Sequence, residues 1–301
     1  MPGASNTCVM LLSDKSSGST ALQRELAKHP EVRLVETTRH NEHETLYWNK
    51  AAALLGRPQA DILNSELPMK GNRARQELLE FLRANLDTFQ PPYNDRMLVF
   101  EGWQSLCRNF GPVFLEKSPH HLHYWSALEL ISECDRRYPD IDFKFIGLIR
   151  NPVDTSYSMW RRWRAVPETQ QYEWLRAYKN LMKLKMRVGE RLHVVRYEEL
   201  VRNPEAIKKL CDFVGIEWVP NMGEDLRTSS LQTWRDDWMF GFGLSQQVTG
   251  FAQELGYKKN EIDTRPHPVW PLYRDATRAV HSSLKLTRPL KRRLRSALGS
   301  C

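Results

Sequence analysis

Two stretches of this chain hold side chains suited to gripping anions. The first is LLSDKSSGSTALQREL, residues 11–26. An apolar run leads into Lys15, Ser16, Ser17, Gly18, Ser19 and Thr20, and a helix-like pattern follows. Gly18 lets the backbone come close to a ligand. The first N–H groups of a helix have no partner inside it, so a strand–loop–helix of this kind cradles phosphate-like anions. Hydroxyls add donors and Lys15 adds positive charge. A Walker loop requires GxxxxGK[ST]. Here Ser19 follows the glycine and the lysine precedes it, which disfavours a magnesium–triphosphate site. The plain alternative is a Ser-rich turn with Ser or Thr as helix cap.

The second stretch is KFIGLIRNPVDTSYSMW, residues 144–160. It reads as a buried strand ending at Arg150-Asn151-Pro152 and then a helix, with Pro152 in the first turn. A fixed guanidinium at Arg150 and the hydroxyl of Ser158, about two turns into that helix, could together hold a second phosphate. The plain alternative is that Arg150 pairs with a carboxylate such as Asp154.

The elements that must position these groups follow from the hydrophobic pattern. Strand-like runs lie at Cys8–Leu12, Val32–Val35, Met97–Phe100, Val113–Leu115, Phe143–Ile149 and Leu192–Val195. Helix-like stretches lie near 20–28, 42–55, 72–87, 121–134, 153–163, 170–188 and 204–214. The alternation predicts an α/β fold: one P-loop-like domain over 1–301, with a central, mostly parallel sheet of about five strands flanked by helices. Ligands on such sheets bind beyond the carboxyl ends of the strands.

Composition bounds the rest. The 301 residues are 41% hydrophobic and 27% charged, as in an ordinary globular protein, and carry a net charge of +8. That mild basic excess suits an anionic ligand. Five cysteines, none in a CxxC pair, argue against a disulfide scaffold and for a reducing compartment. With neither a signal-peptide pattern nor an apolar run of membrane-spanning length, a soluble, cytoplasmic protein is expected. The motif-bearing core covers about 8–257, and a densely basic tail occupies about 284–301. The tail reads as a solvated terminus. The alternative is weak contact with an acidic membrane surface, which Pro289 disfavours by interrupting any long amphipathic helix. Residues 159–187 mix Trp with Arg and Lys. They fit an amphipathic helical pair with Trp anchors in the core, and no nucleic-acid fold signature accompanies them. The oligomeric state is left open.

The two stretches together resemble the sulfotransferases that use 3′-phosphoadenosine 5′-phosphosulfate (PAPS). In that family a loop similar to KSGTT holds the 5′-phosphosulfate, and a strand ending in RNPxDxxxS holds the 3′-phosphate. Here the second motif is complete at Arg150, Asn151, Pro152, Asp154 and Ser158. VVRYEELVRNPEAIKKLCDFVGI, residues 194–216, resembles the family's RYE(D/E)L strand end, with Tyr197 matching the position near the adenine. HPEVRLVETTRH (29–40), FLEKSPHHL (114–122) and FAQELGY (251–257) are similar to further family segments. One departure stands out. The family usually has Lys or Arg directly before Ser-Gly, where this chain has Ser16, with Lys15 one place earlier.

The resemblance implies a PAPS-dependent sulfotransferase acting on a hydroxyl, or less readily an amine, of a glycan, glycolipid or small metabolite. Sulfuryl transfer resembles phosphoryl transfer, so positioning and charge stabilisation do much of the work. Loop residues Lys15 to Thr20 would hold the phosphosulfate. Arg150, Ser158 and Tyr197 would hold the rest of the nucleotide, with Ser230 and Arg235 from SSLQTWR (229–235) as helpers. Lys117 of the EKSP segment is the expected catalytic cation; the plain reading pairs it with Glu116 at the surface. Glu36 heads the candidates for the general base, with His40, Glu42, Glu44, His120 and His121 also open. Related enzymes place a basic Glu at the positions of Thr37 or Thr38. The small-molecule branch places a His at the position of Pro119. His40 and His43 do not form an HExxH zinc motif, and no metal is expected. The alternatives are a small-molecule kinase on a similar sheet, or a relative that binds nucleotide or glycan without turnover.

Overall fold

The computed structural model describes residues 6–62, 65–264 and 266–282. The basic tail at 284–301 lies outside them. The chain forms two compact units. The first comprises the residues up to 151 together with 173–231, and the second comprises 152–172 and the chain from 232 onward.

The first unit is built on five parallel strands: β1 (Asn6–Ser13), β2 (Val32–Arg33), β3 (Val113–Lys117), β4 (Ile141–Ile149) and β5 (Leu192–Arg196). Their order is β2-β3-β1-β4-β5. β1 therefore sits in the middle, paired with β3 through Thr7–Val113 and with β4 through Asn6–Ile141. Both faces of such a sheet are covered, which is why its strands read as continuous apolar runs. On one face, Val9, Leu11, Val113, Leu115, Ile146 and Leu148 pack in a core with residues of α1 (Ser19–Leu26), such as Leu22 and Leu26. Ile207 and Leu210 of the later helix 204–214 join the same core. On the other face, Phe114 meets Trp103 at a centroid distance of 5.4 Å, and Trp103 meets Trp48 at 4.9 Å. Those two tryptophans come from α2 (Tyr47–Leu54) and from a helix over Asp95–Asn109.

That second helix corrects one expectation. Met97–Phe100 is not a strand but lies inside Asp95–Asn109. Asn94 caps it by accepting from the Arg96 N–H, and the buried residues continue at Trp103, Leu106 and Cys107 with helical spacing. A short apolar run alone does not separate a strand from a buried helix; the cap and the later apolar positions do. The helix expected from residue 42 begins only at Tyr47, and β2 pairs only at Val32 and Arg33.

Two further helices complete the frame used below. α3 spans Gly71–Asn85, and the long helix Pro167–Val188 carries the buried Trp174 and Tyr178 in its part within the first unit. Gly147 in β4 lets Leu181 of that helix approach; a Cβ at 147 would stand 2.8 Å from Leu181 Cδ2. In the second unit, Trp160 packs against Trp270 at 5.1 Å. The tryptophans of the basic segment are thus core anchors where they are buried, as at Trp160 and Trp174, while Arg161 and Arg162 are exposed. No helix among the described residues is long and apolar enough to cross a membrane.

Candidate active site

The residues that follow β1 form a buried loop. Asp14, Lys15 and Ser17 are buried, and Gly18 is the helix N-cap of α1 with φ +90°. The cap is glycine, not the Ser or Thr of the plain reading, so it makes no side-chain cap hydrogen bond. The first N–H groups of a helix have no intrahelical partner and favour an anion. A Cβ at Gly18 would overlap the edge of the Tyr197 ring. Glycine is therefore required twice here, by the left-handed backbone and by the ring against it. Ser16, where the resemblance expects a cation, takes φ +59°.

Several side chains fix the loop from beneath. The Lys15 N–H donates to Asp14 Oδ1 at 2.7 Å, and His123 Nε2 lies 2.9 Å from the same oxygen. The Ser17 hydroxyl lies 2.8 Å from that of Tyr178, which donates to the Leu148 carbonyl of β4. Burial pushes the Lys15 ammonium below its ordinary value, against the upward pull of Glu173, Asp14 and Glu44. Asp14, His123, Glu173 and Tyr178 had no place in the sequence reading. The only sequence signal for them is that Asp14 directly follows the strand and that Trp174 and Tyr178 share one helix face.

Arg150, at the end of β4, reaches this loop. Its Nη1 donates to the Ser16 carbonyl at 3.0 Å and its Nη2 to the Ser230 carbonyl at 2.7 Å. The guanidinium stacks 4.8 Å from the centre of the Tyr197 ring, whose hydroxyl lies 3.2 Å from Ser230 Oγ. Trp174 Nε1 donates to the Arg150 carbonyl, and Glu198 accepts from the Asn151 N–H. The loop, Arg150, Tyr197 and Ser230 thus form one cluster. Buried Ser16 Oγ and Arg150 Nε have no hydrogen-bond partner among the described residues. Unsatisfied donors of this type fit an anionic ligand. Ser158 lies half-buried on the helix Pro152–Trp163, and Arg235 donates to the Asn260 carbonyl; both belong to the second unit.

The EKS segment divides its work between the two sides of β3. Lys117 is fully buried, and its Nζ lies 3.2 Å from Thr20 Oγ1 and 2.8 Å from Glu44 Oε1. It is not the surface lysine paired with Glu116 of the plain reading. Glu116 instead accepts from Thr45 Oγ1 at 2.7 Å and from Ser118 Oγ, while Ser118 Oγ accepts the Thr45 and Leu46 N–H groups. This clamp holds the segment that carries Glu44. Burial would raise the Glu116 carboxyl, but His121 and the hydroxyl donors outweigh it and hold it below the usual value.

The other base candidates are dispersed. Glu36 is exposed, with its N–H on Asn85 Oδ1. Glu42 pairs with Arg24 at the surface. His40 lies 3.0 Å from Glu66, and burial lowers its proton affinity. His121 is buried between Asn49, at 2.7 Å, and Glu116, at 3.3 Å. Burial first, then the charge of Lys15 and of neighbouring histidines, drives His120 well below its ordinary value. His40, Glu66 and Glu77 bring one ligand atom each within 4.8 Å of one another. Arg73 pairs with both carboxylates, so the group is already neutralised by protein cations.

A family model described as the sulfotransferase family matches residues 9–220. No curated protein matches the chain. Among solved structures, the sulfotransferase domain from the curacin biosynthetic pathway is similar at 19% identity and TM-score 0.54, covering 83% of this chain and 97% of that one. The sulfotransferase domain from the Synechococcus PCC 7002 olefin synthase is similar at 20% identity and TM-score 0.58, covering 84% and 95%. At such identities the likeness concerns the fold.

Proposed function

Because the chain belongs to the sulfotransferase family, we propose that it moves a sulfuryl group from PAPS to a hydroxyl, or less readily an amine, of a glycan, glycolipid or small metabolite. One observation carries the choice of donor: Arg150 lies within hydrogen-bonding distance of the Ser-rich loop. PAPS bears a phosphate on one side of its ribose and a phosphosulfate on the other, and it needs two cationic or N–H-rich anchors that close together. The loop with Lys15, Ser16, Ser17, Gly18, Ser19 and Thr20 supplies one. Arg150 supplies the other, with Ser230 as a hydroxyl donor and Tyr197 as a face for the adenine.

Lys117 is the cation for the transferring group, since it touches both Thr20 of the loop and Glu44. Its ammonium offsets charge growing on the oxygen that bridges phosphorus and sulfur. The acceptor oxygen forms the new S–O bond as the bridging S–O bond breaks. The electron pair of the broken bond stays on the released 3′,5′-diphosphoadenosine. The acceptor proton goes to a carboxylate, and Glu44 suits that role better than Glu36 because it already lies beside Lys117. No step calls for a metal.

Thermal shift tests the donor. 3′,5′-Diphosphoadenosine should stabilise the protein and ATP·Mg²⁺ should not, with the gain lost in Arg150→Ala. The reverse selectivity replaces this reading with a kinase. Binding without transfer of label from PAPS to any acceptor in a broad pool makes the chain a non-catalytic relative.

A further inference from the structure

Between the loop that follows β2 and helix α3 the first unit has a half-open cavity of about 210 Å³. Thr37, Thr38 and Thr45 line one side, and Phe81 and Ala84 of α3 line the other. Thr45 directly follows Glu44, the carboxylate 2.8 Å from Lys117. The wall is built before any ligand arrives: Asn85 Oδ1 accepts the N–H groups of Glu36 and Thr37 at 3.1 Å each, and its Nδ2 donates to the Thr37 carbonyl.

The charges in the wall cancel. Arg39 pairs with Glu77 at 3.1 Å and with Glu80. Lys50 lies 3.3 Å from Glu77 and donates to the Thr45 carbonyl at 3.1 Å. Both cations are committed to neighbouring carboxylates, Arg39 at the surface and Lys50 in a buried pair with Glu77, so a sulfated or uronate-bearing glycan would have to break the buried Lys50–Glu77 pair to gain a counter-charge from Lys50. Breaking such pairs is costly. The surface left for a ligand is the methyl groups of threonines, the Phe81 ring and Ala84. A cavity of roughly 150 Å³ already accepts benzene, so this one holds a single ring or a short alkyl run.

We infer that this cavity receives the body of the acceptor, and that the acceptor is a neutral alcohol with a short alkyl or single-ring apolar group. The inference rests on the proposed sulfuryl transfer with Glu44 facing the acceptor hydroxyl. It narrows the acceptor away from anionic glycans.

The test uses the full chain, benzyl alcohol as probe, and Ala84→Trp, an exposed helix position where a larger ring fills the cavity without touching the core. Ligand-observed NMR should detect benzyl alcohol on the wild-type protein with 3′,5′-diphosphoadenosine bound, and about tenfold weaker binding to Ala84→Trp. In turnover with PAPS, KM for benzyl alcohol should rise by a similar factor while the thermal shift given by 3′,5′-diphosphoadenosine stays the same. Equal affinity in the two proteins, no binding to wild type, or a lower KM for heparin fragments that Ala84→Trp does not change would overturn it. If 3′,5′-diphosphoadenosine gives no shift, the donor reading fails; benzyl alcohol binding to the nucleotide-free protein, with and without Ala84→Trp, then still decides whether the cavity takes a neutral alcohol.

Discussion

Arg150 at the end of β4 donates to the carbonyl of Ser16 in the loop that follows β1, at 3.0 Å. β1 and β4 are neighbours in the sheet, with Ser13 in register with Leu148. Their carboxyl ends therefore emerge side by side. A side chain one residue past one strand reaches a backbone three residues past the other. The two motifs, far apart in sequence, become one surface through strand order alone.

Arg150→Ala removes two charge-assisted hydrogen bonds and the stacking on Tyr197. It also removes the cation proposed for the 3′-phosphate; one charge-assisted bond to that phosphate contributes about 1.5–3 kcal/mol, so 3′,5′-diphosphoadenosine should bind roughly 10- to 150-fold more weakly by calorimetry. Arg150→Lys keeps the charge but not the fork, and should recover only part of the loss. Unchanged affinity in both variants would remove Arg150 from the nucleotide site.

Gly18→Ala places a side chain in a left-handed backbone and against the Tyr197 ring. The backbone term alone costs about 1–2 kcal/mol, and the ring must also move. Urea unfolding should show at least that loss, and nucleotide affinity should fall with it. A variant as stable and as tightly binding as wild type would mean that the loop is not held as described.

Lys117→Met should lower kcat by about 100- to 1000-fold, as for a lost transition-state donor, with nucleotide affinity nearly kept. Glu44→Gln should lower kcat with nucleotide affinity nearly kept, whereas Glu36→Gln should leave kcat unchanged. If Glu36→Gln abolishes turnover and Glu44→Gln does not, the proton goes to Glu36.

Glu116 has a depressed folded pKa, below its usual 4.5. Its contribution to stability is therefore fully present above the ordinary carboxylate range and is lost as pH falls through the depressed value. Below pH 4.5 the unfolded chain binds a proton that the folded one does not. Wild type should lose stability more steeply with falling pH than Glu116→Gln, by at most one proton, or about 1.4 kcal/mol per pH unit. Parallel curves from denaturant titrations would contradict the clamp.

The parallel strands were legible because burial on both faces makes them plain apolar runs, as at Cys8–Leu12 and Phe143–Ile149. The same rule misled at Met97–Phe100, an apolar run that faces the core from a helix. The anion-gripping residues were legible because they stand at strand ends. The partner of Lys117 was only one name among six. Its place depends on a loop in which Glu42, His43 and Leu46 all take positive φ, between 51° and 60°. Non-glycine residues rarely adopt that conformation, and no local signal announces it. The buried clamp of Glu116, Ser118 and Thr45 supports that loop through contacts between distant segments, which spacing cannot reveal.

The middle position of β1 has a consequence for how the molecule assembles. β1 is made before both of its lateral partners and finds them only when Val113–Lys117 and Ile141–Ile149 have been made. Until then its backbone N–H and C=O groups and its apolar side chains are exposed to solvent and to other chains. Such late, non-local pairing slows folding and favours aggregation, so production of this protein should respond to slower translation, lower temperature or added chaperone.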